Sequence, residues 1–371
     1  MSSETRFPSD CSLDVVGIGN AIVDVLVQTD DGFIAEHGLQ NPSDCSLDVV
    51  GIGNAIVDVL VQTDDGFIAE HGLQKGGMAL IDEQQAEALY KASGTGLETS
   101  GGSVANTMVG IAQLGGRAGF IGRVRDDQLG SIFSHDIRAV GARFETPAAT
   151  SGATTARCLI YVTPDAERTM CTFLGASTQL EPEDLDLSMV KQAKVLYLEG
   201  YLWDSPAAKR AFIAAAEACR EAGGKVALSL SDGFCVDRHR ASFLELVNGH
   251  VDVLFANDVE IQSLYETDDF DQALERVRGC CSVIAITRGA QGSVVLSGDQ
   301  RWDIGIFGLG DLVDTTGAGD LYAGGFLHGF TQGESLERCG ELGALCAGQI
   351  VTQLGARSQV SLKQLAETHL N

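Results

Sequence analysis

The run Val313-Asp314-Thr315-Thr316-Gly317-Ala318-Gly319-Asp320 leads into Leu321-Tyr322-Ala323-Gly324-Gly325-Phe326-Leu327, so small residues and one acid stand at the mouth of an expected helix. Glycine permits a tight turn and lets the backbone approach a ligand closely. A helix start presents unpaired N–H groups and the positive end of the dipole, where an anion fits. A carboxylate beside such a phosphate cradle is placed to take the proton from an attacking hydroxyl. The plainer reading of a glycine-rich turn before a packed helix accounts for the glycines alone.

Other stretches carry compatible chemistry. Gly53-Asn54, with Asp58 four residues further on, ends an apolar strand. Asn54 and Asp58 there suit a ribose or sugar diol, because a carboxylate can accept from two adjacent hydroxyls. A turn Asn and a surface Asp would look the same. Gly51-x-Gly53-x-x-Ile56 departs from the dinucleotide fingerprint, since the third glycine is a β-branched residue. Gly101-Gly102-Ser103-Val104-Ala105-Asn106 reads as a helix start with Ser103 as a cap. Arg168 follows Pro164-Asp165-Ala166-Glu167 in an expected hairpin, where its guanidinium could swing over a phosphate or lie in solvent. Asn257-Asp258-Val259-Glu260 and Thr287-Arg288-Gly289-Ala290-Gln291-Gly292 each follow an apolar strand. No Walker A loop and no nucleophile elbow is present, and the seven histidines show no metal spacing.

Taken in order, these motifs resemble the ribokinase-like, PfkB-type family of sugar and nucleoside kinases, from about residue 47 to the C-terminus. The resemblance implies that Asp320 is the catalytic base and that Gly317, Ala318 and Gly319 hold the transferring phosphate, with Arg168 over it. It implies acceptor contacts from Asn54, Asp58, Gly102, Ser103 and Asn106. It places Asn257, Thr287, Gly289, Gly292 and Thr315 along ATP, and Glu260 near Mg²⁺ through water, which suits an ion that keeps much of its hydration. A monovalent cation such as K⁺ near the last loop follows by the same analogy. The strand with Asn54 and Asp58, the Gly-Gly-Ser-Val-Ala-Asn start and residues 168–177 look most like the adenosine kinase branch. A ribokinase or fructokinase specificity is the runner-up. A non-catalytic binding member is a reading that the retained Asp320 and anion hole oppose. Asp320 is expected to be ionised at neutral pH, since Asp begins near ~3.9 and a helix start favours the anion.

The 371 residues suffice for one large α/β domain with a small appendage or for two ordinary domains. A formal net charge of −26 repels nucleic acid and anionic membranes. Ten cysteines without C-x-x-C spacing, several inside apolar runs, such as Cys158, Cys219 and Cys346, read as reduced core residues of a cytoplasmic protein. No apolar run reaches the ~18 residues of a membrane span, and no secretory leader pattern is seen. A monomer or homodimer acting on a small molecule is expected.

The elements that must position these groups read as strands alternating with helices. Strands are expected over 47–53, 118–121, 195–198, 225–230, 251–255 and 282–286, with helices over 83–92, 103–114, 207–222, 319–330 and 335–352. This predicts a doubly wound, mainly parallel sheet with helices on both faces. Two strand-rich segments without partner helices, about 57–82 and 150–175, are expected to form a small β-sheet lid that excludes water. Residues 8–40 recur unchanged as 42–74. Both copies carry the same strand, 13–27 and 47–61, and the sheet has one slot for it. Copy two adjoins the rest of the domain, so 42–371 is expected to form the kinase domain and 1–41 an extra segment.

Overall fold

The computed structural model describes residues 14–17, 25–28, 46–165 and 167–370. A nine-stranded sheet forms the body. Its order is Gln300–Ile304, Ser293–Ser297, Val283–Thr287, Val253–Asn257, Lys225–Ser229, Ala193–Glu199, Leu47–Ile52, Ala118–Ile121 and Arg143–Phe144. Neighbours from Val283–Thr287 onward run parallel, and the first two strands close the sheet antiparallel. Parallel strands need crossovers, and helices supply them. Pro206–Glu221, capped by Ser205 and with proline in its first turn, returns the chain from Ala193–Glu199 to Lys225–Ser229.

Every residue of Leu47–Ile52 is buried, as expected for a strand covered on both faces. Its side chains divide by parity. Val50 and Ile52 pack with Leu196, Trp203 and Phe212 on one face, while Val49 packs with Val104, Met108 and Phe326 on the other. The second face receives Ser103–Gln113 and Ala318–Thr331, the two helices whose starts carry the candidate site.

A five-stranded sheet covers one end of the body, in the order Met78–Leu80, Arg168–Phe173, Ala156–Val162, Ile56–Gln62 and Leu97–Gly101. Burial alternates along Ile56–Gln62, so Val57, Val59 and Val61 pack into a core while Ile56 and Asp58 face a cleft. The expected strand over 47–53 and the lid segment beginning near 57 form as two strands in different sheets, so 47–61 is not one continuous strand. The chain breaks at 53–55, where Asn54 is fastened by side-chain hydrogen bonds to Glu199 and Ser177. The strand Leu97–Gly101 and the helix Asp65–Glu70 lie outside the sequence expectation. So do the helices Gln128–Ala139 and Gly233–His250; the latter is interrupted by non-helical dihedrals at His239, which blurs its period. Glu83–Ala92 forms as expected, behind a full capping box between Asp82 and Gln85.

In copy one, Asp14–Gly17 pairs antiparallel with Val25–Gln28 in a separate two-stranded sheet. The equivalent residues of copy two lie in different sheets, one in the body and one in the lid. Asn20 and Asp24 lie outside the described residues. Among the described residues no helix is long and apolar enough to cross a membrane.

Candidate active site

In an open parallel sheet, ligands bind beyond the carboxyl ends of the strands, where the strand order reverses. Here the order reverses between Leu47–Ile52 and Ala193–Glu199. A cleft of about 440 Å³ opens at that end, between the body and the small sheet. Its size suits a small-molecule site.

Asp320 stands in the first turn of Ala318–Thr331 and lines this cleft. Ser103 Oγ donates to its Oδ1 at 2.7 Å, and Asn106 Nδ2 donates to its Oδ2 at 2.9 Å. Each carboxylate oxygen thus keeps a lone pair for a further donor. Burial pushes the Asp320 carboxyl above its ordinary value, against the two hydrogen bonds and the Arg357 charge. Burial is thus an influence on its ionisation that the sequence expectation did not include. Asn106 lines the cleft, while its Oδ1 is sealed from solvent and has no hydrogen-bond partner.

Two glycines are required by the geometry. Gly317 caps the helix with φ +80°, and a Cβ there would come within 2.6 Å of Ala356 Cβ. Gly102 has φ +99°, and a Cβ there would meet Asn54 O at 2.1 Å. Gly317 and Gly319 line the cleft. Ala318 differs from expectation: its N–H donates to Thr315 O at 3.1 Å, and its side chain is not at the cleft wall.

Asp58 reaches into the cleft from the lid strand Ile56–Gln62. Burial pushes it up to about 6, with Arg357 and Arg168 acting against burial and Asp320 acting with it. Asn54, expected on the acceptor, instead faces inward. Its Nδ2 donates to Glu199 Oε1 at 2.6 Å and its Oδ1 accepts from Ser177 Oγ at 2.7 Å. Glu199 also accepts from Val104 N at 3.0 Å, and burial raises its carboxyl to about 7. Asn54 and Glu199 therefore brace the floor rather than touch the cleft.

Arg168 does not hang over open space. Its Nη1 lies 2.6 Å from Asp314 Oδ2 and 3.3 Å from Thr316 Oγ1, while Nε and Nη2 are buried without partners. Asn257 and Glu260 form a capping box at the start of Asp258–Tyr265, and both line the cleft. Thr287 and Thr316 line it too, whereas Thr315 is exposed beside it and Gly289 and Gly292 shape a turn behind Thr287.

Among the described residues no group of three acidic, His or Cys side chains could cage a metal. Glu260 accepts from Asn257 N at 3.0 Å and from Asn257 Nδ2 at 2.7 Å, and burial raises it to about 7. Each oxygen retains a lone pair, so Glu260 fits a hydrated Mg²⁺ held through water. Asp314 does not fit a monovalent cation. Its oxygens already accept from Thr316 N, Thr316 Oγ1, Gly355 N and Arg168, so it is ringed by donors.

Several wall residues were not legible as site residues. Tyr197 lies within one apolar strand and Ser229 ends the next, Tyr201 and Ser231 follow them, and Cys158, buried as expected, also lines the cleft from the lid strand Ala156–Val162. The polar run Ser229-Leu230-Ser231-Asp232 at a strand end was the available signal.

A profile of the PfkB family of carbohydrate kinases matches residues 78–363. The structure is similar to that of an adenosine kinase from Sinorhizobium meliloti, at 51% identity and a TM-score of 0.80, covering 87% of this chain and 99% of that one. Probable fructokinase-2 of Arabidopsis thaliana is 27% identical over 275 residues, which is 70% of this chain and 82% of the relative. An ATP-dependent ribose-1-phosphate kinase of Halopiger xanaduensis is 30% identical over 268 residues, 70% of this chain and 83% of the relative. Fold, motif order and relatives agree, and the chain belongs to the PfkB family as an ATP-dependent kinase of sugars or nucleosides.

Proposed function

We propose that the chain transfers the terminal phosphoryl group of ATP to the primary hydroxyl of adenosine. One observation carries this reading: Asp58 on the lid and Asp320 on the floor share one cleft, with Ile160 and Met170 above and Tyr201 beside them. Asp58 suits the ribose diol, Asp320 suits the primary hydroxyl, and the apolar lid residues suit the flat face of a base. The kinship with the Sinorhizobium adenosine kinase supports it.

In this reading the acceptor hydroxyl donates to Asp320, which takes its proton as the oxygen attacks. Ser103 and Asn106 hold the carboxylate on line, so little reorganisation is needed. The first-turn amides at Gly319 and Asp320 stabilise the charge on the transferring group. Arg168 adds a guanidinium at the same loop. Mg²⁺, when bound, would neutralise charge on the ATP phosphates, with Glu260 as its water-mediated anchor.

The fructokinase relatives favour a second acceptor class, a hexose or pentose. An ATP-consumption assay with adenosine, fructose, ribose and ribose 1-phosphate separates the two. Adenosine should give the highest kcat/KM, and Asp320→Asn should lower kcat by about 10³-fold with little change in KM. Preference for a free sugar would overturn the nucleoside reading, and full turnover by Asp320→Asn would remove the base.

A further inference from the structure

The last loop of the domain meets the site through three consecutive residues. Gly355 N donates to Asp314 Oδ2 at 2.8 Å. Ala356 packs against Gly317, close enough to forbid a Cβ there. Arg357 reaches across to the opposite wall, where its Nε donates to Ser100 O at 3.0 Å and its Nη2 bonds both Ser100 O and, at 2.8 Å, Ser100 Oγ. Ser100 itself is fully buried and donates through N and Oγ to Asp136 Oδ2. It directly precedes Gly101-Gly102-Ser103, the turn that delivers Ser103 and Asn106 to Asp320.

The remaining nitrogen of this guanidinium is the unusual one. Arg357 Nη1 is shut off from solvent and has no hydrogen-bond partner. A buried charge without full pairing is costly, so its retention asks for a compensating role.

We propose that Arg357 is a positioning residue for phosphoryl transfer. Its guanidinium clamps the glycine turn to the loop behind the anion hole and sets a fixed positive charge behind the two cleft acids, Asp58 and Asp320. This rests on the kinase reading of the site, not on the identity of the acceptor.

The charges around it make the electrostatic part specific. Asp136 faces Arg357 from the helix Gln128–Ala139, Asp58 from the lid and Asp320 from the floor. Asp58 also feels Arg168 from the neighbouring lid strand, and Asp320 is bonded by Ser103 and Asn106. Glu199, Tyr197 and Tyr201 face Asp320 from the central sheet and the turn that follows it. Burial depresses the Arg357 guanidinium to about 10, so it is charged throughout the working range. Of the groups surrounding Asp58 and Asp320, the cations are Arg168 and Arg357.

The test is the pH profile of kcat/KM for Arg357→Met and Arg357→Lys beside the wild type. Each is measured with whichever of adenosine, fructose or ribose the wild type phosphorylates. A failure of adenosine therefore sinks the acceptor assignment and leaves this comparison intact. Removing the charge in Arg357→Met lets both acids protonate more readily, so the acid limb should move up by about one pH unit. The acceptor KM should rise, while the KM for ATP stays near wild type. Arg357→Lys keeps a charge but cannot make the forked contact with Ser100, so its acid limb should stay in place while the acceptor KM rises. A folded Arg357→Met, judged by its melting curve, with an unmoved acid limb and acceptor KM would overturn the proposal. Should that variant not fold, an Arg357→Lys enzyme with wild-type acceptor KM would overturn it equally.

Discussion

Arg168, on the lid strand Arg168–Phe173, and Asp314, at the head of the anion-hole run, form an ion pair of 2.6 Å with both side chains largely withdrawn from solvent. The pair joins the lid to the floor directly. The two acids and the phosphate loop therefore sit under a cover that is already tied down.

The pair is asymmetric, and that gives the first prediction. Asp314 keeps Thr316 N, Thr316 Oγ1 and Gly355 N if Arg168 is lost. Arg168 keeps only the longer contact to Thr316 Oγ1 if Asp314 is lost, with two nitrogens already unpartnered. Urea unfolding should show Asp314→Asn destabilised by about 3 kcal/mol and Arg168→Met by clearly less. Equal and negligible effects would mean the lid is not held through this pair in solution.

Asp58 gives the second. Its folded pKa of about 6 lies above the ordinary carboxylate value. Between pH 4 and 6 the unfolded chain ionises first, so stability falls as pH rises through that window and the cost persists above it. Asp58→Asn should therefore raise the melting temperature at pH 7.5 and leave it unchanged near pH 4, a difference of up to about 3 kcal/mol. The same variant should bind the acceptor more weakly at pH 7.5. This is the usual conflict between stability and function at a binding site. A lower melting temperature at pH 7.5 would contradict burial as the cause.

The third concerns the duplicated segment. Leu47–Ile52 is hydrogen-bonded on both sides, to Ala193–Glu199 and to Ala118–Ile121. We propose that copy two is the native strand and that residues 1–41 are extra to the kinase domain. The two copies would pack identically in the slot, so the choice rests on chain connection, where loop-closure entropy favours the adjacent copy by no more than about 1 kcal/mol. Deleting residues 8–41 should leave kcat/KM and the melting temperature within error of the full chain. Collapse of both would assign the slot to copy one.

Sequence legibility followed distance along the chain. Gly317, Gly319 and Asp320 were readable because the helix start and its acid are neighbours. Ser103 and Asn106 were readable because they share one turn of a second helix start. Arg357 was not, because its partner Ser100 lies 257 positions away and nothing local marks either residue. Asn54 misled for a different reason. An Asn at a strand end suits a ligand or a buried carboxylate equally, and only the fold brings Glu199 to it. The end of the first strand near residue 53 and the start of the lid near 57 were legible, but that Asn54 fastens the link between them was not, since Ser177 and Glu199 lie far along the chain.

The break at 53–55 puts a link of three residues between floor and cover. Residues 53–55 are the link that runs from the innermost strand of the central sheet straight into the lid, and Asn54 nails its midpoint to Glu199. A tilt of the cover must then tug on the tip of the innermost strand, and an acceptor pressing on Asp58 is felt there within a few peptide units. Roof and foundation are thus fastened to each other where the strand order of the central sheet turns back.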